Sequence, residues 1–189
     1  LDAIDAASED FALGAVGAGR GMSCFEMKGG IGSASRLITL DQQEFTLGAL
    51  VLPNFGCRND YIGQEAEQLK PAIPQPEQGS IIIVLATDLP LDARQLKRVC
   101  RRMPAALART GSHLGNGSGD VVIAFSTANV IPHLPKEAIR TMRVLHEDHI
   151  DLAFRAAIEA AEEAIRSSLR HAQTVYGRQG HVRHSLSDT

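Results

Sequence analysis

The chain has 189 residues with 44% hydrophobic and 22% charged residues, ordinary composition for a folded domain with a sizeable core and not for a disordered one. Its net charge of -3 argues against a phosphate-binding, nucleic-acid partner, and no apolar run reaches membrane-spanning length, so neither nucleic acid nor membrane is expected as a partner. Three scattered cysteines, Cys24, Cys57 and Cys100, match neither a disulfide scaffold nor a zinc spacing.

Residues 3–13 are Ala-rich and predict the end of a helix. The Gly-rich block from Gly14 to Gly32 resists a long helix and predicts strands joined by turns. Residues 33–40 and 45–53 read as strands, with Asp41 to Glu44 as a polar hairpin connection. Residues 57–79 carry three prolines and several Gln and Glu, and predict an exposed, extended linker. That linker ends abruptly at Gly79. Residues 80–87 (SIIIVLAT) form the strongest strand, expected to be buried on both faces. A helix is predicted from Asp92 to Thr110, kinked or ended early at Pro104. Gly111 to Gly119 is a loop, residues 120–127 a second buried strand, and residues 147–172 a long helix with an apolar stripe. The last dozen residues are polar and predicted to fray. The order, strand-rich first and then strand–helix–strand–helix, predicts an α/β sheet core layered with helices.

The junction Gly79-Ser80 joins the linker directly to the most apolar strand. A serine hydroxyl there can attack the preceding carbonyl, and a glycine before it leaves the scissile peptide free of a Cβ. The dipeptide alone favours a plain loop-to-strand boundary, because Gly-Ser is common. NGSGD (residues 116–120) alone reads as a turn before a strand, and Asn54 in VLPNFG as a turn cap. His146 and His149 in HEDH could face one metal, but a solvated helix start is the simpler reading. Glu159, Glu162 and Glu163 read as solvated, and Arg98, Arg101 and Arg102 as surface. His181 and His184 fall in the tail predicted to be disordered. No metal or other cofactor is expected.

Taken together, GSIIIVLATDLPL, ARTGSHLGNGSGDVVIAFSTAN and GAVGAGRGMSCFEMKGGIGSASR resemble the self-processing L-aminopeptidase/D-esterase and β-peptidyl aminopeptidase family. The likeness runs from about Gly14 to about Gly180 and includes FRAAIEAAEEAI and TVYGRQG. It implies a layered αββα sandwich of N-terminal-nucleophile type. It also implies self-cleavage at Gly79-Ser80, with residues 1–79 closing an α-subunit and residues 80–189 forming a β-subunit. Ser80 becomes the nucleophile, Ser118 and Asp120 a proton-polarising relay, and Asn54 an oxyanion donor. The family's usual relay carboxylate is Glu, one methylene longer, so Asp120 fits only where its loop sits closer. The Gly-rich hallmarks bring no catalytic atom with them, and Arg20 and Lys28 are given no role.

The implied activity is a serine aminopeptidase or amidase acting on short peptides, amides or esters. The implied assembly is αβ heterodimers paired into a homo-oligomer. A cytoplasmic location is expected. The family's amine-binding Glu signature has no counterpart in Leu1 to Leu13, which implies a further portion upstream. Two other readings stay open: an inactive or truncated homologue serving assembly, and an acyltransferase on the same architecture. Preference among D-, L- and β-amino acids is not readable from the residues.

Overall fold

In a computed structural model the described residues are 2–69, 79–134 and 137–189. The elements in chain order are α1 (Asp2–Asp5), β1 (Ser23–Cys24), β2 (Met27–Lys28), β3 (Gly32–Leu40), β4 (Gln43–Asn54), β5 (Ser80–Thr87), α2 (Ala93–Cys100), α3 (Met103–Thr110), β6 (Val121–Ser126), α4 (Ile150–Arg170), β7 (Val175–Tyr176) and β8 (Val182–Arg183). The central sheet has the order β3-β4-β5-β6. Its first three strands are antiparallel and β6 runs parallel to β5. That parallel step requires a crossover, and α2 with α3 supplies it.

Alternation decides which face is covered. Leu47, Ala49, Val51, Ile81, Ile83 and Leu85 point to one face and are buried. There α4 lies across β3 and β4, α2 lies against β6, and α3 packs on α4. The contact between α4 and the sheet is close because its sheet-facing side is built from Ala153, Ala157, Ala160, Ala161 and Ala164, all buried. Alanine costs no side-chain entropy and suits helix formation. The opposite face is not covered by any described residue to the same degree: Ile82 is 46% exposed, Ile123 54% and Phe125 47%. This corrects the expectation that β5 and β6 are buried on both faces. An apolar sequence records what burial would favour, not whether a partner element is present.

The helix expected over residues 92–110 is two helices. Asp92 caps α2 in a capping box with Gln95, and Pro104 sits in the first turn of α3, where its missing N–H costs nothing. The long helix begins at Ile150 after a single 3-10 turn. Two further expectations are corrected. Residues 57–69 are not an extended linker: Tyr61 is buried, and Ile62 N–H donates to the Thr110 carbonyl at 2.9 Å. The rest of the predicted linker, residues 70–78, lies outside the described residues. Nor does the tail fray. The strands β7 and β8 pair, Ser185 is buried, and the His184 carbonyl accepts from Lys28 N–H at 2.6 Å.

Several charged side chains, Arg98, Arg102, Glu159 and Glu162 among those read as surface or solvated, act as fasteners. Glu147 accepts from Arg94, Arg98 and Gln95, which ties α2 to the entry of α4. Hydrogen bonds from Arg94 and then Gln95 hold its carboxyl down at about 2. The Arg98 and Arg102 guanidinium groups lie 5.2 and 4.0 Å from the Phe154 ring centroid. Glu159 pairs with Arg36, and Glu162 with Arg109 and Arg166.

The Gly-rich block folds around one buried cation. Lys28 is 1% exposed, and its ammonium donates to the carbonyls of Gly19, Met22 and Gly29 at 2.8, 2.5 and 2.6 Å. Three protons meet three acceptors, an arrangement that offsets the cost of burying the charge. Burial lowers its pKa to about 8. Gly30 permits the block to close: a Cβ there would stand 1.8 Å from the Gly14 carbonyl oxygen. Lys28→Met keeps the stem but takes the ammonium from all three carbonyls, of which only Gly19 has another donor among the described residues, the Met22 N–H at 3.2 Å. It is expected to destabilise the fold by about 3 kcal/mol or more, read as a lowered urea midpoint; an unchanged midpoint would show that the clamp contributes nothing.

Candidate active site

The register of β4 against β5 sets Asn54 directly opposite Ser80, and Pro53 opposite Ile81. Side-chain alternation then puts Asn54 and Ser80 on the uncovered face of the sheet. Gly79 must be small: a Cβ would stand 2.0 Å from the Asn54 backbone oxygen and 2.8 Å from the Phe55 Cα. The Ser80 hydroxyl donates to the Gly79 carbonyl oxygen at 2.5 Å.

The loop before β6 closes on the same point. Gly119 N–H lies 3.2 Å from the Ser80 hydroxyl oxygen and 3.4 Å from the Gly79 carbonyl oxygen. Ser118 Oγ donates to Asp120 Oδ1 at 2.6 Å, and the same oxygen accepts Ile81 N–H at 3.2 Å. The short aspartate therefore reaches both partners, because the parallel pairing of Ile82 with Val121 draws the loop against the start of β5. Ser118 N–H donates back to Gly115 at 2.9 Å and closes the turn. On the other side, Asn54 Oδ1 accepts Ser23 N–H from β1 at 3.0 Å.

All five residues singled out from the sequence, Asn54, Gly79, Ser80, Ser118 and Asp120, thus meet at one end of β5. Two groups were not anticipated, the backbone N–H groups of Gly119 and Ser23. A backbone donor leaves no residue-type signature. The only hint was that Gly119 stands between the two relay candidates and that Ser23 falls within the Gly-rich block. His146 and His149 lie elsewhere, their rings 6.3 Å apart, and the described residues hold no group of three or more potential metal ligands.

The sequence pattern of peptidase family S58 matches residues 1–183. The chain belongs to peptidase family S58. It is 39% identical over 196 aligned residues to a β-peptidyl aminopeptidase of Sphingosinicella microcystinivorans, covering 94% of this chain and 50% of that protein. Among solved structures, a protein of Pyrococcus horikoshii superposes with a TM-score of 0.88 at 49% identity, over 99% of this chain and 52% of its own. The L-aminopeptidase D-Ala-esterase/amidase of Ochrobactrum anthropi, described as a variant of the Ntn-hydrolase fold, gives 0.84 at 36% identity, over 95% of this chain and 51% of its own. The chain therefore spans about half the length of these S58 relatives. The layered α/β architecture expected from the sequence is the one it shares with its Ntn-hydrolase neighbours. No described helix is long and apolar enough to cross a membrane.

Asp120 also has a structural duty, since it is the side-chain acceptor for Ile81 N–H. Asp120→Ala should leave that donor unmet and cost about 1–3 kcal/mol, whereas Asp120→Asn, which keeps an acceptor oxygen, should cost less than half as much. Thermal unfolding of the two variants side by side checks this, and equal losses would contradict it.

Proposed function

We propose that this S58 chain carries the nucleophile of a self-cleaving serine aminopeptidase or amidase, with Ser80 serving both steps. The observation that carries the reading is the Ser80 hydroxyl held at 2.5 Å from the Gly79 carbonyl oxygen, with Gly119 N–H on both atoms. In the first step Ser80 Oγ bonds to the Gly79 carbonyl carbon and the Gly79–Ser80 C–N bond breaks. The hydroxyl proton passes to the departing nitrogen, leaving an ester. Water then releases the Gly79 carboxylate and a chain beginning with Ser80. Residues 1–79 then belong to one subunit and residues 80–189 to another.

In the second step the freed α-amine, with a pKa of about 8, is a base beside the hydroxyl it activates. Ser80 attacks the carbonyl of a substrate's N-terminal residue, the amine or alcohol leaves, and water resolves the acyl-enzyme. Ser118, bonded to Asp120, polarises the proton path where no histidine serves. The Asn54 side-chain amide donates to the oxyanion. The relatives' names, a β-peptidyl aminopeptidase and an L-aminopeptidase D-Ala-esterase/amidase, support short peptides, amides or esters as substrates. Assembly of the cut chains into heterodimers and then a homo-oligomer follows from the same reading. A cytoplasmic location is a separate part of the proposal, supported by Cys24 being a thiol and not half of a disulfide.

Intact mass and amide turnover of the complete gene product test the central claim. Wild type should resolve into two chains meeting at Gly79/Ser80 and hydrolyse an amino-acid p-nitroanilide. Ser80→Ala should stay uncut and lose at least about three powers of ten in kcat, while Ser80→Cys should retain some cutting. Normal turnover by Ser80→Ala would remove Ser80 from the mechanism. A separate comparison concerns the 189 residues alone, which should turn over the anilide far more slowly than the complete protein. A substrate ammonium without its carboxylate loses a contact of about 1.5–3 kcal/mol, or one to two powers of ten in binding. Equal rates would show that this stretch is sufficient by itself.

A further inference from the structure

The Gly-rich block has no part in the chemistry as described, yet one of its atoms touches the site. The hairpin β1–β2 turns through Phe25 and Glu26, whose φ angles are 50° and 59°. A two-residue turn of this hand needs positive φ at both central positions and is normally built from Asn and Gly. Phenylalanine and glutamate adopt it only where the surroundings hold them there. Here they do. Phe25 is wholly buried, with its ring centroid 5.2 Å from Phe55 and 5.1 Å from Tyr61, and its N–H donates to the Phe55 carbonyl at 2.7 Å. Glu26 accepts from Arg58 N–H at 3.2 Å. The Lys28 ammonium fixes the other end through its three carbonyls.

A hairpin pinned at so many points presents its outward N–H groups at fixed places. In β1 and β2, Ser23 pairs with Lys28, and both N–H groups leave the hairpin: Lys28 to the His184 carbonyl and Ser23 to Asn54 Oδ1. An N–H can only be met by the oxygen of an amide, never by its NH2 group. The Ser23 donor therefore decides which way round the Asn54 amide stands. Its oxygen is taken up by the hairpin, and its NH2 is turned away from the hairpin, on the residue that faces Ser80 across the ladder.

We infer that the Gly-rich block is a positioning device: through the Ser23 backbone N–H it locks the Asn54 side chain with its NH2 group presented to the oxyanion. The inference rests on the reading of Asn54 as an oxyanion donor and adds the group that orients it. Without the lock, the amide is free to rotate and offers its oxygen to a developing negative charge in part of its population. Such a loss falls on the transition state, where the oxyanion exists, and little on substrate binding.

The experiment removes one hydrogen. Ser23→Pro deletes the N–H, and Met22 already holds the extended conformation (φ -84°, ψ 144°) that a residue before proline requires. Ser23→Ala keeps the N–H and removes the hydroxyl. In the complete gene product, kcat per burst-titrated active site and KM are measured for both variants and for Asn54→Ala. The expected result is a fall of about tenfold or more in kcat for Ser23→Pro, with KM within about threefold of wild type. Ser23→Ala should stay at least about tenfold above Ser23→Pro, and Asn54→Ala should fall by about 10²–10³. Counting per titrated site excludes misfolded protein, which would lower the number of sites and not their rate. Wild-type kcat in Ser23→Pro beside a slow Asn54→Ala overturns the positioning role and leaves the oxyanion reading intact. Wild-type kcat in Asn54→Ala overturns both. Should Ser23→Pro yield no titratable sites, replacing Ser23 by its α-hydroxy acid decides, since the ester link removes the same N–H without the proline ring; wild-type kcat in that protein refutes the lock.

Discussion

The pairing of β4 with β5 is the constraint from which the site follows. Eight consecutive residue pairs, from Leu47 with Thr87 to Asn54 with Ser80, fix where the two strands end relative to each other. A slip of one residue would turn every β5 side chain to the opposite face. Ile81, Ile83 and Leu85 would leave the helix-covered side, and Ser80 would point into the core. The apolar contacts that hold α4 to the sheet and the placement of Ser80 opposite Asn54 are thus one choice of register.

The groups that touch the side chains of that pair come from backbone held in tight conformations. The loop before β6 brings Gly119 N–H to Ser80, and its shape is maintained by Asp120, which bonds both Ser118 and the first amide of the β5 interior. On the opposite flank the β1–β2 hairpin reaches Asn54 with another amide. The two flanks differ in what holds them. One depends on a carboxylate accepting two donors, the other on aromatic packing and a buried ammonium. The two supports also differ in exposure: the carboxylate is only partly buried, whereas Lys28 is sealed from water.

Much of this was legible in the residues. The β-branched run starting at Ser80 gave the strand to the residue, and Pro104 marked the break between α2 and α3. The motifs VLPNFG, Gly79-Ser80 and NGSGD named the side chains that meet. The features that escaped have physical causes. A strand apolar on both sides predicts two covered faces, but only one is covered among the described residues. Tyr61 and Ser185 bury themselves within segments whose average composition is polar, because a single anchor outweighs its neighbours. Phe25 and Glu26 occupy a turn that their residue types disfavour, a tertiary override of local preference that only the aromatic cluster and the Lys28 clamp explain. The hydrogen bonds of Gly119 and Ser23 come from a group that every residue except proline possesses, so no sequence pattern could single them out.

The position of Ser80 has one more consequence, for assembly rather than chemistry. The bond before it joins two stretches of a single sheet, with β3 and β4 on one side and β5 and β6 on the other. A chain severed there keeps its ladder and its shared helix layer, so its folded form is held by the same contacts as before. Its unfolded form is different, because two separate molecules leave instead of one. Recovery then becomes a second-order encounter whose yield depends on dilution, and the lost chain connection cannot be restored by refolding. Stability measured before such a cut is a property of one molecule; measured after it, it carries units of concentration.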